Sequence, residues 1–375
     1  MRVNFDSQIF CSQAVGGISR YFASLAAEMD SFQDVQPRIV APYHVNGYLQ
    51  TLPRDVVRGH QVPQSRAPKA LLRIASLVAG GLMQGMMPAD ILHRTYYYPF
   101  CHLPSRAKNV LTVYDMIHEK FPQHFPARDP IARWKKRAVA AADAIICISE
   151  QTRQDLLYFN PQIPPEKVSV TYLGFDDLGQ LLTDESAQAF RTRALGIDIP
   201  YILFVGSRVG YKNFEGLLQA YQASPWLREN FGLLCFGGGA FTKAEQALIS
   251  RGGSAARVQQ IGGNDAVLAA CYRHAALFVY PSLYEGFGIP PLEAMSLDCP
   301  VACSQTSSIP EVVGDAAALF DPTNIQAMQA TLETLLNSPD SAAVLVERGR
   351  IRRAQFSWRQ CAEETVGIYR RTLAQ

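Results

Sequence analysis

The sequence lacks several features that would assign a protein to a class at once. Its eight cysteines include no CxxC pair, so neither a disulfide framework nor a cysteine-ligated zinc site is predicted. No apolar run reaches about 18 residues, the length that an ordinary membrane span needs. The first residues show no charged segment followed by an apolar one, so we expect no signal peptide. These absences predict a cytoplasmic protein with reduced cysteines.

The net charge of the chain is small, but the two halves of the sequence differ in sign. The 35 basic and 33 acidic residues nearly balance, which gives no reason to expect nucleic-acid binding. Residues 1–175 hold 19 basic and 13 acidic side chains, a net of +6, whereas residues 176–375 hold 16 and 20, a net of −4. A positive first half suits an anionic acceptor or a phospholipid surface, and ordinary scatter explains it equally well.

Apolar residues make up 48% of the 375 positions, and they occur as short runs between amphipathic stretches. The predicted strands cover residues 38–40, 91–93, 109–113, 144–148, 201–205, 232–236, 277–280 and 300–302. Continuous apolar strands separated by helices indicate parallel sheets covered on both faces. Because the pattern occurs twice, we predict two doubly wound, Rossmann-like α/β domains that face a cleft. Ligands in such sheets bind beyond the carboxyl ends of the strands.

The predicted domains span residues 1–178 and 179–355, with an irregular linker near residues 176–200. Residues 356–375 have a helical pattern. A helix at this position either packs on the second domain or crosses back to the first, and the sequence does not decide between these.

Residues 66–88 form a basic, Met-rich helical segment without acidic residues. Such a helix either packs in the fold or lies on a membrane surface. Replacement of Leu72, Leu77 and Leu82 by polar residues would separate these two interpretations in a vesicle flotation experiment.

The most informative stretch runs from Tyr280 to Met295. A buried strand ends at Tyr280, a Gly-rich loop follows, and a helix begins near Pro290 or Pro291, where proline is well tolerated. Loop amides and the positive end of a helix can bind an anion without a basic side chain. Glu285 and Glu293 lie eight positions apart around this loop. If the amides hold a diphosphate, these carboxylates suit the hydroxyl groups on either side of it; alternatively, they cap the loop and face solvent.

The segment EGFGIPPLE resembles the E-x7-E motif of retaining GT-B glycosyltransferases of family 4, also called glycosyltransferase group 1. The similarity extends over nearly the whole chain, in the order of the family, through GGISRYF at 16–22, TVYDMIHEKFP at 112–122, ADAIICISEQTRQDL at 142–156, VTYLGF at 170–175 and ILFVGSRVGYKNFEGLL at 202–218. The resemblance implies a GT-B fold and a retaining transfer from a nucleotide-diphosphate sugar. The first two of these segments, taken together, are similar to enzymes of bacterial surface-polysaccharide synthesis.

The resemblance also implies roles for particular residues. Arg208 and Lys212 would neutralise the departing diphosphate, while Glu285 would hold the donor sugar. The implied donor-binding residues are Gly16, Gly17, Gly262, Gly286, Phe287, Gly288, Ile289 and Glu293, the last for the ribose. The sequence has no D-x-D triplet and no metal-spaced histidines, so we expect neither a metal ion nor another cofactor.

Acid–base chemistry is expected from the first domain, where Asp115 and His118 follow an apolar strand. Related sequences often have a histidine directly before this aspartate, whereas this chain has Tyr114, so His93 at another strand end is an alternative. A structural role for either histidine is equally open. Residues 96–98 would line an acceptor surface or form a buried aromatic cluster.

The sequence therefore predicts a hexosyltransferase, with mannose from GDP-mannose as the first donor to test. A glycan or a lipid-linked oligosaccharide is the expected acceptor, which would bring the enzyme into peripheral contact with the inner membrane surface. Two alternatives remain: another GT-B enzyme, such as a sugar-nucleotide epimerase, and a catalytically silent sugar-nucleotide-binding protein.

Overall fold

The computed structural model describes residues 1–63, 69–99, 106–182, 184–196 and 198–375. The chain divides into two compact units, of which the first comprises Met1–Gly174 and Ser357–Gln375 and the second Phe175–Phe356. The predicted boundaries after residues 178 and 355 differ from these by four residues and by one.

The first unit contains, among its described residues, a sheet of seven parallel strands in the order β3-β2-β1-β4-β5-β6-β7. The strands are β1 (Arg2–Phe5), β2 (Gln36–His44), β3 (Val57–Gln61), β4 (Ile91–Arg94), β5 (Lys108–Val113), β6 (Ala144–Cys147) and β7 (Val168–Val170). The helices are α1 (Gly17–Asp30), α2 (Lys69–Met86), α3 (Ile117–Lys120), α4 (Ile131–Ala140) and α5 (Glu150–Phe159). In register, Val3 of β1 lies between Pro37 of β2 and Ile91 of β4.

The second unit repeats this order in a parallel sheet of six described strands, β10-β9-β8-β11-β12-β13. The strands are β8 (Tyr201–Val205), β9 (Gly232–Phe236), β10 (Val258–Ile261), β11 (Leu277–Tyr280), β12 (Val301–Ser304) and β13 (Ala318–Phe320). The helices are α6 (Ala187–Leu195), α7 (Phe214–Ala223), α8 (Pro225–Asn230), α9 (Lys243–Arg251), α10 (Asp265–His274), α11 (Ile289–Ser296), α12 (Ile309–Val313), α13 (Ile325–Leu336) and α14 (Pro339–Arg353). The prediction of two doubly wound α/β units is confirmed.

The predicted irregular linker at residues 176–200 is wrong. This stretch contains a 3₁₀ turn at Leu178–Leu181 and helix α6, both within the second unit. The side chain of Ser186 caps α6 by accepting a hydrogen bond from the amide of Ala189 at 3.2 Å, and Phe190 is fully buried. The cap and the burial of Phe190 and Ala194 stabilise this helix, although its apolar periodicity is weak.

A final helix, α15 (Trp358–Leu373), completes the first unit rather than the second. It packs on α1, where the rings of Tyr21 and Trp358 lie 6.3 Å apart. The chain crosses itself closely here, because a Cβ atom on Gly174 would lie only 2.2 Å from the amide nitrogen of Trp358. Only glycine permits this backbone approach.

Helix α2 packs on the sheet with one face and exposes the other. Leu72 and Leu77 are buried, whereas Leu82 is 55% exposed, so substitution of all three leucines would disturb the core. Residues 66–68 of the predicted segment lie outside the described residues. In the part of the chain that the structure describes, no helix is both long and apolar enough to cross a membrane.

The described cysteines lie in the cores. Seven of them are described, and all seven are buried and without disulfide partners; Cys101 lies outside the described residues. Burial raises the pKa of the Cys11 thiol to about 11, so the thiol form is favoured there. Within the described residues, no three His, Cys, Asp or Glu side chains are grouped so that they could hold a metal ion.

Candidate active site

The strand order of the second unit reverses between β8 and β11, and this is where a doubly wound sheet leaves a crevice for ligands. The loop after β8 turns through Gly206, whose φ of 121° favours glycine, and ends in a 3₁₀ turn at Gly210–Lys212. The loop after β11 is joined to it by a hydrogen bond from the amide of Leu283 to the carbonyl of Tyr211, at 2.8 Å. The two loops therefore form one edge of the crevice.

Lys212 and Glu285 form an ion pair at this edge, with 2.6 Å between Nζ and Oε1. Their side chains remain 19% and 12% exposed, so the pair is neither sealed in the core nor a mobile surface contact. The rings of Tyr211 and Tyr280 lie 5.4 and 5.6 Å from the ammonium group. Burial, together with the charge of Glu285, raises the pKa of Tyr280 well above its ordinary value. The pair presents a fixed cation and a fixed carboxylate to the crevice.

A segment after β12 holds the Glu285 loop in place. The amide of Glu285 donates to Oγ of Ser307 at 2.9 Å. Oγ of Ser308 lies 2.9 Å from the carbonyl of Glu285 and 2.8 Å from that of Phe287, to which it can donate. Ser307 has a φ of 53°, an uncommon left-handed conformation for serine. Sequence reasoning missed both serines, although a polar run directly after a buried strand was the available signal.

The loop ends at Gly288, which precedes α11 with a φ of 112°. Pro290 and Pro291 have no N–H group, so the backbone donors of this turn are confined to residues 286–289. The amides of Gly288 and Ile289 donate no hydrogen bond to another described residue. Unpaired amides at the positive end of a helix are suited to an anion such as a phosphate.

Glu293 is buried one turn into α11, with only 6% of its surface exposed, so it is not a solvated helix residue. The hydroxyl of Tyr272 donates to its Oε2 at 3.1 Å. Burial, with the adjacent carboxylate, raises the pKa of Tyr272 well above its ordinary value, so the tyrosine remains a donor. Tyr272 was also missed from the sequence, since nothing in its spacing points to Glu293.

Arg208 is arranged differently from Lys212. Its Nε donates to Glu245 at 2.7 Å, and its terminal nitrogens donate to the carbonyls of Gly237 at 3.0 Å and Gly239 at 2.9 Å. The side chain is only 4% exposed. The glycines of this loop have positive φ angles, which turns their carbonyls towards the guanidinium. The structure therefore places Arg208 at the centre of the glycine loop, with its guanidinium hydrogen-bonded to Glu245 and to the loop carbonyls.

Three further predicted donor-binding glycines lie at the ends of other elements. Gly262 is exposed at the carboxyl end of β10, where a Cβ atom would meet nothing within 4 Å. Gly16 and Gly17 begin α1 in the first unit, and Gly17 is exposed with no atom within 4 Å of a Cβ position. Gln13 caps this helix start by accepting a hydrogen bond from the amide of Ser19 at 3.2 Å.

Asp115 and His118 surround a buried lysine that sequence reasoning missed. Nζ of Lys135, 1% exposed, lies 2.9 Å from Glu119 and 3.7 Å from Asp115. His118 stacks on Phe125 at 3.9 Å, and its buried Nδ1 has no hydrogen-bond partner among the described residues. Burial lowers the pKa of His118, and the Lys135 charge adds to that effect, so the ring is held neutral.

His93, the alternative histidine, is a buried structural residue. It is fully buried, with Nδ1 at 2.6 Å from the hydroxyl of Tyr369 and Nε2 at 2.8 Å from Oγ1 of Thr112. Burial lowers its pKa to about 3. His93 thus joins α15 to the sheet. The neighbouring Tyr97 is buried, and its ring packs at a tilt against that of the half-buried Tyr96, with 4.8 Å between the ring centres.

Comparison with known proteins agrees with this architecture. Residues 15–177 match the family model described as Glycosyltransferase Family 4, and residues 189–352 match the model described as Glycosyl transferases group 1. An O-antigen chain mannosyltransferase B of Escherichia coli is 32% identical over 284 residues, which cover 73% of this chain and 74% of that relative. An alpha-maltose-1-phosphate synthase of Mycolicibacterium smegmatis is 27% identical, with both chains covered completely.

Among solved structures, the sucrose-phosphate synthase of Thermosynechococcus elongatus is similar with a TM-score of 0.76 at 19% identity. The match covers 100% of this chain and 99% of that one. This likeness shows a shared GT-B fold, as the strand orders of the two units require.

Proposed function

The chain belongs to family 4 of the glycosyltransferases, and on that premise we propose that it transfers a sugar, with retention of configuration, from a nucleoside-diphosphate sugar to a hydroxyl acceptor. The observation that carries the proposal is the Lys212–Glu285 pair beside the amides of Gly288 and Ile289. A cation and backbone donors fit a diphosphate, and a carboxylate fits sugar hydroxyls.

In this scheme, the bond between the anomeric carbon and the β-phosphate oxygen breaks, and the acceptor oxygen bonds to the same carbon from the same face. The acceptor proton passes to a β-phosphate oxygen, so the products are a glycoside and a nucleoside diphosphate. Lys212 and the loop amides would stabilise the negative charge that leaves with the diphosphate. Glu285 would orient the donor sugar and Glu293 the ribose. We propose that Lys212 and the loop amides stabilise the negative charge of the departing diphosphate without a metal ion.

Most donors of Arg208 are engaged by Glu245 and the glycine loop, so its share in the phosphate role that the resemblance implies would be to hold this loop and to add positive charge. Asp115 and His118 are proposed for the acceptor side. A neutral imidazole can hydrogen-bond an acceptor hydroxyl and orient it, while the acceptor proton passes to the β-phosphate oxygen. Nδ1 of His118 is buried, so Nε2 would make this contact.

For the donor we propose mannose from GDP-mannose, and for the acceptor a glycan or a lipid-linked oligosaccharide in polysaccharide synthesis. The relative named O-antigen chain mannosyltransferase B supports this choice. The relative named alpha-maltose-1-phosphate synthase aligns over the entire chain and favours a second candidate, transfer onto a sugar phosphate. An acceptor on a lipid would bring the enzyme to a membrane surface.

A thermal-shift screen against UDP, GDP, ADP and TDP and their sugars would identify the donor, since a ligand of the folded state raises its apparent stability. Incubation of that donor with oligosaccharide and sugar-phosphate acceptors, followed by NMR of the product, gives the anomeric configuration. The proposal predicts that the new glycosidic bond has the same anomeric configuration, axial or equatorial, as the donor. Glu285→Gln should lower kcat/KM by about 10²-fold. The control is Glu215→Gln, an exposed residue of α7, which should match the wild type. An inverted product, or full activity of Glu285→Gln, would contradict the proposal.

A further inference from the structure

The outer face of α2 is apolar along its whole length. Five side chains on it are more than half exposed: Leu71 (61%), Ile74 (58%), Val78 (55%), Leu82 (55%) and Met86 (76%). Their spacing of three or four residues places them on one side of the helix, and we call them the α2 stripe. The other exposed residues of α2 with described side chains are Ala70, Ala75 and Gly85, so the exposed face carries no acidic group.

The stripe is not the face that α2 uses for the core. The opposite face is already buried through Leu72, Ser76 and Leu77, and Oγ of Ser7 donates to the carbonyl of Ser76 at 3.3 Å. A surface helix of a globular protein normally turns polar residues outwards. Helix α14 shows the ordinary case, because its exposed Val344 and Ile351 lie among Asp340, Glu347, Arg348 and Arg350.

The segment of the sequence that contains the stripe carries basic residues only. No acidic residue occurs between Asp55 and Asp90, whereas Arg58, Arg66, Lys69 and Arg73 fall in that interval. The first unit as a whole carries 22 basic and 15 acidic residues, a net of +7, and the second carries 13 and 18, a net of −5. The apolar face thus belongs to the positive unit.

A recess of about 740 Å³ opens beside α2, and its lining combines apolar and positively charged side chains. Met83 of α2 lines it together with Tyr43, Arg54, Arg58 and His60. Neither Arg54 nor Arg58 forms an ion pair with another described residue; the one contact between them runs from the guanidinium of Arg58 to the carbonyl of Arg54, at 3.4 Å. Arginines at the border of an apolar face match the boundary between lipid phosphates and acyl chains.

We propose that α2 docks on an anionic phospholipid surface, with the α2 stripe inserted among the acyl chains and Arg54 and Arg58 in contact with lipid phosphates. A second copy of this chain is a poorer occupant, because two such faces would bring like charges together. The inference goes beyond the proposed sugar transfer and does not depend on it, because vesicle binding is measured without donor or acceptor.

The test is flotation of the full-length protein with vesicles of phosphatidylcholine alone and of phosphatidylcholine with phosphatidylglycerol. Wild type should float with the anionic vesicles and release at high salt. The double variant Ile74→Gln/Leu82→Gln should bind at least about tenfold more weakly, since each residue loses its burial in the acyl region. Arg54→Gln/Arg58→Gln should lose the preference for anionic vesicles.

The matched control is Val344→Gln/Ile351→Gln on α14, which removes equally exposed apolar side chains and should float as wild type does. Unchanged thermal unfolding of the α2 variant would show that the fold is intact. Wild-type flotation of that variant, equal binding to neutral vesicles, or absence of binding by wild type would overturn the inference. So would a wild-type dimer that the α2 substitutions dissociate in analytical ultracentrifugation, because a second copy would then cover the stripe. Failure here with retained sugar transfer would leave the proposed function standing.

Discussion

In both units, the strand order reverses beside the first strand of the sheet, between β1 and β4 in the first unit and between β8 and β11 in the second. In the first unit, the polar groups at this position are hydrogen-bonded to one another. Asp6, directly after β1, is 4% exposed and accepts from the amide of Thr95 at 3.0 Å and from Nε2 of Gln8 at 2.7 Å. The second unit instead places the partly exposed Lys212–Glu285 pair there, near the amides of Gly288 and Ile289, which donate to no other residue that the structure describes.

This difference between the two units shows that the strand order predicts where a ligand can bind, whereas the local side chains determine whether polar groups there remain accessible to it. A buried carboxylate that is satisfied from within rigidifies the sheet edge and leaves little for a ligand to gain. A cation and a carboxylate at the surface of the crevice can exchange their mutual contact for contacts with a charged substrate. On this comparison, substitutions in the second crevice should affect turnover, and substitutions in the first should affect stability.

The largest effect is expected for Lys212→Ala. Removal of the cation leaves the charge of the departing diphosphate without its partner, and loss of such a group costs about 10²–10³-fold in kcat. Steady-state kinetics with the donor found by thermal shift would measure this. Because the pair is partly exposed, we expect little change in the unfolding temperature.

The control is Lys243→Ala, since Lys243 is an exposed lysine of the same unit at the start of α9. It should retain the kcat of the wild type. Equal kcat values for the two alanine variants would remove the distinction between the crevices, because the cation would then have no role in the transfer.

The sequence predicts most of the central strands but misses β1 of the first sheet, whose sequence is RVNF, and it predicts the edge strands poorly. The predicted limits of 201–205, 232–236 and 277–280 coincide with β8, β9 and β11, because each is a continuous apolar run buried on both faces. By contrast, β10 has the sequence VQQI and β3 the sequence VRGHQ, and neither contains an apolar run. Edge strands have one neighbour and more exposure, so polar residues are tolerated there and the pattern is lost.

The candidate site shows the same limit. The motif around Glu285 predicts a functional loop, but its partner Lys212 is 73 residues away, and only the sheet brings the two together. The burial of Lys135 between Asp115 and Glu119 is also not encoded by spacing. Arg208 has the residue type that the phosphate role requires, yet its orientation towards the glycine loop depends on tertiary packing.

The pH dependence of the unfolding free energy tests the structural role of His93 in the first unit. Its pKa is about 3 in the folded protein, against about 6.5 in an unfolded chain. Between these values the unfolded state binds more protons, so the contribution of a neutral His93 is complete above pH 6.5 and declines as the pH falls. At pH 5 the wild type should have lost about 2 kcal/mol of unfolding free energy through this group. Urea unfolding at pH 7 and pH 5 would measure it.

His93→Asn should show a shallower loss between these pH values, since the asparagine does not titrate. Burial also raises the pKa of Asp6, which acts in the opposite direction, but it does so in both proteins and cancels from the comparison. Parallel curves for wild type and His93→Asn would mean that His93 is not held neutral by the fold.

The smallest effect is expected for Tyr272→Phe, which removes the hydroxyl that donates to Glu293. One buried hydrogen bond contributes about 1 kcal/mol, so a ribose held by Glu293 should bind about fivefold more weakly, as a higher KM for the donor at unchanged kcat. Tyr201→Phe is the matched control, because its fully buried hydroxyl donates to the carbonyl of Cys271 at 2.6 Å, in the same unit. Both variants should lose similar stability in urea unfolding. A rise in KM confined to Tyr272→Phe would therefore report the orientation of Glu293, whereas equal KM values in the two variants would place the ribose elsewhere.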